Sequence, residues 1–162
     1  MKMEGRPRGI EFTPDGKWAF VTNENGKAVS VVDATAHKVT GKIEIPISEA
    51  PKDAPKDAPE PVQPLPMGVV ISPDAAHLYV SLGRNKGVAI IDVATRTVAK
   101  VIPDVGTRPW GIGISADGKT LFTANGRSGD ISFIDAASGT VAKHVSTGGS
   151  PWGIGVLTPA SR

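Results

Sequence analysis

The sequence predicts an all-β fold assembled from repeated four-stranded sheets. Residues 106–148 contain four short runs rich in Ile, Val, Phe and Thr, separated by segments rich in Gly and Asp, which is typical of strands joined by tight turns. The same pattern occurs at residues 5–46 and 64–105. Because four strands in about 43 residues is the size of one β-propeller blade, we predict three blades in a single domain spanning residues 1–162.

The spacing of equivalent prolines sets the register of the three copies. Pro66 and Pro109 are about 43 residues apart, in agreement with one blade per repeat. The interval from Pro7 to Pro66 is longer by about 16 residues and therefore contains more than one blade. We assign this surplus to a Pro-rich insert at residues 47–63, whose frequent prolines favour an extended surface loop. A partner-binding arm is the alternative interpretation of this insert.

The C-terminal residues 150–157 repeat the beginning of a blade, and no second strand follows them in the sequence. The pattern therefore predicts one extra inner strand. Propellers protect their sheet edges by radial repetition, usually of about four to eight blades. Three blades leave both ends open, and we expect association to complete the fold. The simplest arrangement is a homodimer of two half-propellers, in which each C-terminal strand crosses to its neighbour.

Two motifs identify a family resemblance. The pattern R-P-x-G-I-x-x-S-x-D-G-K-x-L-x-x-x-N, followed by V-x-x-I-D-x-A-T-x-x-V, resembles the YVTN-type β-propeller repeat. The tetrapeptides L-Y-V-S at 78–81 and F-V-T-N at 20–23 are this chain's versions of the one for which the repeat is named. Residues 78–84, 108–111 and 123–126 are similar to the C-terminal half of propellers associated with PQQ-dependent catabolism. That resemblance implies exported relatives of about twice this length with a ring of about seven blades. It does not fix a reaction, because similar propellers include lactonases, surface-layer proteins and the haem-binding propeller of nitrite reductases.

Composition excludes several classes of function. The chain has 18 basic and 16 acidic side chains and a net charge of +2, too balanced to predict a nucleic-acid partner. The absence of Cys excludes disulfides, thiolate metal sites and a Cys nucleophile. No signal-peptide pattern opens the sequence, and no run approaches the roughly 18 apolar residues of a membrane span. We therefore expect a soluble chain without a membrane partner, cytoplasmic as written, although relatives in the resembled family are usually periplasmic.

The topology of a propeller predicts where a binding site would lie. The loops that enter first strands and the loops that join second to third strands share one face, the channel mouth. The candidate ligand-binding residues on that face are Arg6, Arg8, Asn23, Arg84, Arg108, Trp110, Asn125, Arg127 and Trp152. Arg offers a fork of donors matched to carboxylate or phosphate, and Trp offers a flat apolar wall.

These residues favour a ligand- or protein-binding and scaffolding module whose basic mouth takes a small anionic ligand or an acidic partner. A structural role is the alternative, in which the repeated entry motifs pack blade against blade and the Arg stems cover them. The rival functional class is a hydrolase acting on anionic phosphate or sulfate esters or on lactones at the mouth. A third interpretation is a piece of a longer propeller without an activity of its own.

Catalytic and metal-binding patterns are weak in this sequence, so binding is favoured over catalysis. It contains no Gly-x-Ser-x-Gly elbow, phosphate-binding P-loop or His-Glu-x-x-His pattern. His37, His77 and His144 do not converge on one centre, as a zinc site would require, and we predict no metal site and no cofactor. Oxygen sites for a divalent cation such as calcium leave little trace in a sequence, so the hydrolase alternative includes one.

The aspartates of the repeats have a structural interpretation. Asp33, Asp92 and Asp135 recur at the ends of third strands, a pattern that superficially suggests paired-carboxylate catalysis. Because they occupy identical positions in each copy, we expect each side chain to cap the turn that follows it. The Asp-Gly and related turns at Asp15, Asp74 and Asp117 have the same interpretation.

Overall fold

The computed structural model of the protein describes residues 2–47 and 62–157. Of the Pro-rich insert predicted at 47–63, the structure describes residues 47, 62 and 63, and the rest lies outside the described residues. The described residues form twelve strands in three four-stranded antiparallel sheets, and the strands follow chain order in each sheet. The prediction of an all-β fold with three four-stranded propeller blades is therefore confirmed.

Each blade is named here by its strands. Blade 1 contains β1 (Pro7–Phe12), β2 (Trp18–Asn23), β3 (Ala28–Asp33) and β4 (Lys38–Glu44). Blade 2 contains β5 (Val69–Ile71), β6 (His77–Ser81), β7 (Val88–Asp92) and β8 (Thr97–Ile102), with a short 3-10 helix, Gly83–Asn85, between β6 and β7. Blade 3 contains β9 (Pro109–Ile114), β10 (Thr120–Asn125), β11 (Asp130–Asp135) and β12 (Val141–Ser146).

Apolar side chains on both faces of the middle strands hold the blades together. The interface between blades 1 and 2, the first interface, buries Phe20 and Val31 against Leu78 and Val80. The interface between blades 2 and 3, the second interface, buries residues that include Tyr79, Ile90, Leu121 and Ile134. Full burial of one such side chain stabilises the fold by roughly 1.5–3 kcal/mol, so packing between blades is a main source of stability.

The aspartates at the ends of third strands cap the turns that follow, as the sequence predicts. Asp33 Oδ1 accepts the N–H of Thr35 at 2.9 Å, and Asp135 Oδ1 accepts the N–H of Ser138 at 2.7 Å. The equivalent Asp92 accepts the N–H of Thr95, and this hydrogen bond lowers the pKa of the carboxyl group. Asp15, Asp74 and Asp117 accept N–H groups within their own turns in the same way. All six carboxylates are therefore engaged in turn structure.

The repeated Gly of the inner strands allows a close approach between blades. The N–H of Gly68 in blade 2 donates to the carbonyl of Trp110 in blade 3 at 2.9 Å. A Cβ added at Gly68 would lie 2.7 Å from that carbonyl oxygen, closer than a side chain tolerates. A Cβ at Gly111 would lie 2.7 Å from Cα of Gly153. The P-x-G spacing of the repeat thus brings successive inner strands into backbone contact.

The C-terminal segment differs from the prediction of an inner strand at 150–157. Residues 151–157 belong to no strand, because no second strand pairs with them within the described part of the chain. The segment nevertheless follows β9, with Ile154 and Val156 lying beside Gly113. It therefore occupies the side of blade 3 where a further blade would begin. Within residues 2–47 and 62–157, no helix is long and apolar enough to cross a membrane.

Candidate ligand site at the channel mouth

The entry segments of blades 2 and 3, the start of β1 and the C-terminal segment meet around one pocket of about 230 Å³. We call it the mouth pocket. Its lining residues are Arg8, Met67, Gly68, Trp110, Gly111, Trp152 and Gly153. Three of the nine predicted ligand-binding residues, Arg8, Trp110 and Trp152, therefore come together at one place.

A carboxylate that the sequence analysis did not single out holds two of the predicted arginines. Glu24 Oε2 accepts a hydrogen bond from Arg8 Nε at 2.6 Å and lies 3.3 Å from Arg6 Nε. The Glu24 side chain is only 9% exposed, which strengthens its charge interactions. Two guanidinium groups and one carboxylate leave one net positive charge, and the contacts to Glu24 are made by the Nε atoms of both arginines.

The sequence did contain a signal for Glu24. The equivalent positions in blades 2 and 3 are Gly83 and Gly126, so an acidic residue here departs from the repeat. The backbone also fixes the position, because the N–H of Glu24 donates to the carbonyl of Arg6 at 2.9 Å. That bond ties the entry segment to the loop between β2 and β3.

The two predicted tryptophans stack on each other and have different roles. The ring centroids of Trp110 and Trp152 are 4.4 Å apart with an interplanar angle of 41°. Trp110 packs directly over Gly126, where a Cβ would collide with its ring. Trp152 is 58% exposed, and the guanidinium carbon of Arg8 lies 5.6 Å from its ring centroid, within the range of a cation–π interaction. Trp110 therefore packs between loops, whereas Trp152 presents an open indole face beside Arg8.

The backbone of the entry segments is strained at two arginines. Arg6 and Arg108 both have a left-handed φ of 59°, which costs about 1–2 kcal/mol for a residue with a Cβ. Each precedes a proline, which further restricts its conformation. Strain of this kind is often retained near binding sites, and it turns the chain sharply at the start of β1 and β9.

Asn23 and Asn125, which the sequence places among the candidate ligand-binding residues of the channel mouth, lie inside their blades. Both are fully buried within their blades. Asn23 Nδ2 donates to Ser30 Oγ at 2.9 Å, and Asn125 Nδ2 donates to Asp130 Oδ1 at 2.6 Å. Each amide thus joins the end of the second strand to the third strand of its own blade, out of reach of a ligand in the mouth pocket.

The remaining predicted arginines do not line the mouth pocket. Arg84 lies in the 3-10 helix, and Arg127 lies in the loop between β10 and β11. Both side chains are exposed. Arg108 precedes β9 and is half-buried. A role for these three arginines in binding stays a prediction.

One Ser-His-Asp group occurs among the described residues, and its geometry is not that of a hydrolase triad. Ser132 Oγ lies 3.1 Å from His144 Nδ1, and Asp130 Oδ2 lies 3.7 Å from the same nitrogen. In a triad the serine and the carboxylate bind opposite nitrogens of the imidazole. Ser132 is also fully buried and donates to the carbonyl of Val105. The group therefore stabilises the β11–β12 pair.

No metal centre is formed by the part of the chain that the structure describes. Nowhere in that part do three or more His, Asp or Glu side chains group closely enough to hold a metal ion. His37, His77 and His144 lie at three separate places, in the β3–β4 turn, in β6 and in β12.

Comparison with known proteins places the chain among propellers. Residues 1–154 match the family described as lactonase, 7-bladed beta-propeller. No curated protein sequence matches the chain significantly. Hydrazine synthase of Kuenenia stuttgartiensis is 30% identical over 93% of this chain and 39% of its own, with a TM-score of 0.73.

Two further solved structures share the fold. A functionally unknown protein from Desulfotomaculum acetoxidans is 18% identical over 97% of this chain and 47% of its own, with a TM-score of 0.73. A candidate 6-phosphogluconolactonase from Bacteroides fragilis is 23% identical over 91% of this chain and 40% of its own, with a TM-score of 0.67. The chain thus spans less than half the length of these three proteins.

Proposed function

We propose that this chain, which belongs to the seven-bladed lactonase β-propeller family, is a binding module that takes small anionic ligands in its mouth pocket. The observation that carries the proposal is the position of Arg8, which Glu24 holds at 2.6 Å beside the open face of Trp152. Within the family, the similarity of its motifs to YVTN repeats and to propellers associated with PQQ-dependent catabolism remains a narrower hypothesis.

The cluster suits an anion because it is charged and already ordered. Its net charge is positive, and Arg guanidinium groups can form paired hydrogen bonds to a carboxylate or phosphate. Since Glu24 fixes Arg8 before binding, less side-chain entropy is lost when a ligand arrives. Trp152 adds an apolar wall for the carbon chain of a sugar. A phosphorylated sugar acid combines these features, and the Bacteroides fragilis neighbour is named for a phosphorylated sugar lactone.

The test is a tryptophan-fluorescence titration with 6-phosphogluconate. We expect saturable quenching, and Arg8→Gln should weaken binding by about 1.5–3 kcal/mol, the contribution of a charged hydrogen bond. Lys119→Gln is the control, because Lys119 is exposed in the turn between β9 and β10 and does not line the mouth pocket. Equal weakening by both variants, or no quenching in the parent protein, would contradict the proposal.

Hydrolysis of anionic lactones or esters is the second candidate function, and the family match favours it. In that mechanism the Arg side chains would stabilise the developing oxyanion, and Glu24 would have to act as general base although Arg8 and Arg6 contact it. A pH-stat assay with 6-phosphogluconolactone, with calcium and with chelator, distinguishes the two functions. We expect no turnover above the spontaneous rate. Turnover that disappears in Glu24→Gln would establish the hydrolase instead.

We also propose that two copies of this 162-residue chain associate through their open blade faces. On blade 1, Ile10 and Phe12 are 55% and 50% exposed. On blade 3, Phe122 and Phe133 form an edge-to-face pair with centroids 5.0 Å apart beside an open apolar groove. An interface that joins such faces should bury more than about 2,000 Å² in total. Loops of both copies would then surround the mouth pocket.

Analytical ultracentrifugation at micromolar concentration tests this association. We expect a dimer that Phe12→Asp and Phe133→Asp each dissociate. Val39→Asp is the control, because Val39 is an exposed residue of the outer strand β4. A monomeric parent chain would contradict the proposal.

A further inference from the structure

The two interfaces between blades use equivalent strand positions. They differ in the size of the side chains at the end of the strands where the aspartate turns lie. At the first interface, Arg96 lies over the ring of Trp18, with its guanidinium carbon 4.2 Å from the ring centroid. Ala75 and Val93 pack against the same core. Large side chains therefore close this end of the first interface.

At the second interface, each of these positions carries a smaller residue. The strand register equates Trp18 with His77, because Trp18 pairs with Asp33 and His77 pairs with Asp92. Continuing this register into blade 3 gives three further replacements: Gly118 for Ala75, Ala136 for Val93 and Gly139 for Arg96. His77, Gly118 and Ala136 line a pocket of about 360 Å³ at this end of the second interface, which we call the interface pocket.

Three polar side chains line the interface pocket from blade 2, those of His77, Tyr79 and Lys100. Tyr79 occupies the position of Phe20 in blade 1 and is 5% exposed. It differs from Phe20 by a hydroxyl group. Lys100 Nζ donates to the carbonyl of Ser138 at 2.7 Å, so its ammonium group is held at the pocket wall with donors to spare.

The surroundings keep the Tyr79 hydroxyl in its donor form. Burial, assisted by the charge of Asp74, raises the pKa of Tyr79 and keeps its hydroxyl protonated. Asp74 accepts hydrogen bonds from Ser72 and Ala76, and Asp92 accepts them from Thr95. These carboxylates are thereby engaged at their turns. Apart from His77, the rest of the wall is apolar and includes Ile90, Ala99 and Ala136.

We propose that the interface pocket binds a small monocarboxylate with an apolar body. The carboxylate would accept hydrogen bonds from Lys100 Nζ and the Tyr79 hydroxyl, and the hydrocarbon part would contact Ile90, Ala99 and Ala136. Hydrogen bonds to a charged acceptor are stronger than those to a neutral one, so these two donors favour a carboxylate. The volume is at the lower end of the range for small-molecule sites, about 300–1,000 Å³. The pocket lies at the opposite end of the strands from the mouth pocket and shares no lining residue with it.

An NMR titration with benzoate tests the proposal. The methyl resonances of Ile90 and Ala136 should shift saturably, and benzyl alcohol, which lacks the charge, should bind at least about tenfold more weakly. Tyr79→Phe copies Phe20 of blade 1 and removes only the hydroxyl. Lys100→Gln removes the charge. Each should weaken benzoate about tenfold.

Two further variants make the result decisive. Lys143→Gln is the matched control, because Lys143 occupies the equivalent position of blade 3 and lies over Phe133; it should leave benzoate affinity unchanged. Ala136→Val restores the side chain of Val93 and should block binding while the fold, monitored by circular dichroism, is retained. Benzoate affinity that survives both Tyr79→Phe and Lys100→Gln would overturn the proposal, as would shifts confined to residues of the mouth pocket.

Discussion

Blades 1 and 3 carry the same repeat, yet they satisfy the same buried amide differently. Asn125 Oδ1 accepts a hydrogen bond from Thr123 Oγ1 at 3.0 Å. The equivalent Asn23 Oδ1 is buried and finds no partner among the described residues, since Val21 stands where blade 3 has Thr123. The exchange of a Thr hydroxyl for a Val methyl therefore decides whether the side-chain oxygen of the Asn accepts a hydrogen bond.

The hydroxyl missing at Val21 occurs one residue later in blade 1 and serves another contact. Thr22 Oγ1 donates to the carbonyl of Met67 in blade 2 at 2.5 Å, and Ser81 Oγ donates to the carbonyl of Trp110 in blade 3 at 3.0 Å. Blade 3 has Ala124 at this position. Because successive residues of a strand face opposite sides, moving a hydroxyl by one position exchanges a bond within a blade for a bond between blades.

The largest effect is expected at the close approach of inner strands. Gly68→Ala would force a Cβ against the backbone of blade 3, and such overpacking should lower the free energy of unfolding by about 2–3 kcal/mol. Gly111→Ala should have a smaller effect, because the C-terminal segment that it contacts belongs to no sheet and can move away. Urea denaturation measures both.

The control for the glycine comparison is Gly41→Ala. Gly41 lies in β4, where an added Cβ meets nothing within 4 Å, so this variant should be as stable as the parent or slightly more so. Equal losses at Gly68 and Gly111 would show that the C-terminal segment is as firmly packed as a blade.

The next effect concerns the bond between blades. Thr22→Val keeps the volume of the side chain and removes its hydroxyl, which leaves the Met67 carbonyl without that donor. We expect a loss of about 1–2 kcal/mol in the free energy of unfolding. Thr35→Val, at an exposed turn position, should change it by less than about 0.5 kcal/mol. Similar values for the two variants would refute the bridging role of Thr22.

These differences explain which features the sequence could predict. Strands, turns and capping aspartates such as Asp135 depend on local patterns, and the prediction of these features agrees with the structure. The pairing of Glu24 with Arg8 and the burial of Asn23 depend on how a loop and two strands meet in space, which strand patterns do not encode. Residues 151–157 show the same limit, because a strand needs a neighbour as well as a suitable sequence.

A smaller effect, of opposite sign, is expected at Val21. Val21→Thr should supply Asn23 Oδ1 with the donor that Thr123 supplies in blade 3, and thereby raise the free energy of unfolding by about 0.5–1 kcal/mol. The reverse exchange, Thr123→Val, should leave Asn125 Oδ1 without this donor and destabilise blade 3 by roughly 1 kcal/mol. Urea melts of both variants check the pair. Destabilisation by Val21→Thr would mean that Asn23 Oδ1 does not need this hydroxyl.

The smallest effect is a difference in pH dependence between the two blades. Burial raises the pKa of Glu11 in blade 1 above its ordinary value, although a backbone hydrogen bond from Ile71 opposes the change. In blade 3 the backbone N–H of Ser138, with the Ser138 hydroxyl, holds the pKa of Asp135 below its ordinary value. The two carboxyl groups should therefore respond to pH in opposite directions.

The expected signs follow from linkage between protonation and folding. The contribution of Glu11 to the free energy of unfolding is complete below the pKa of the unfolded state, about 4.3. It is lost as pH rises through the higher pKa of the folded state. The contribution of Asp135 is present above its unfolded pKa of about 3.9 and is lost as pH falls through its lower folded value. Glu11→Gln should therefore raise the melting temperature more at pH 7 than at pH 4. Asp135→Asn should lower it at pH 7, and that difference should narrow as pH falls below about 4. If the melting temperature of either variant changed with pH in parallel with that of the parent between pH 3 and pH 7, the assignment of these pKa shifts would be contradicted.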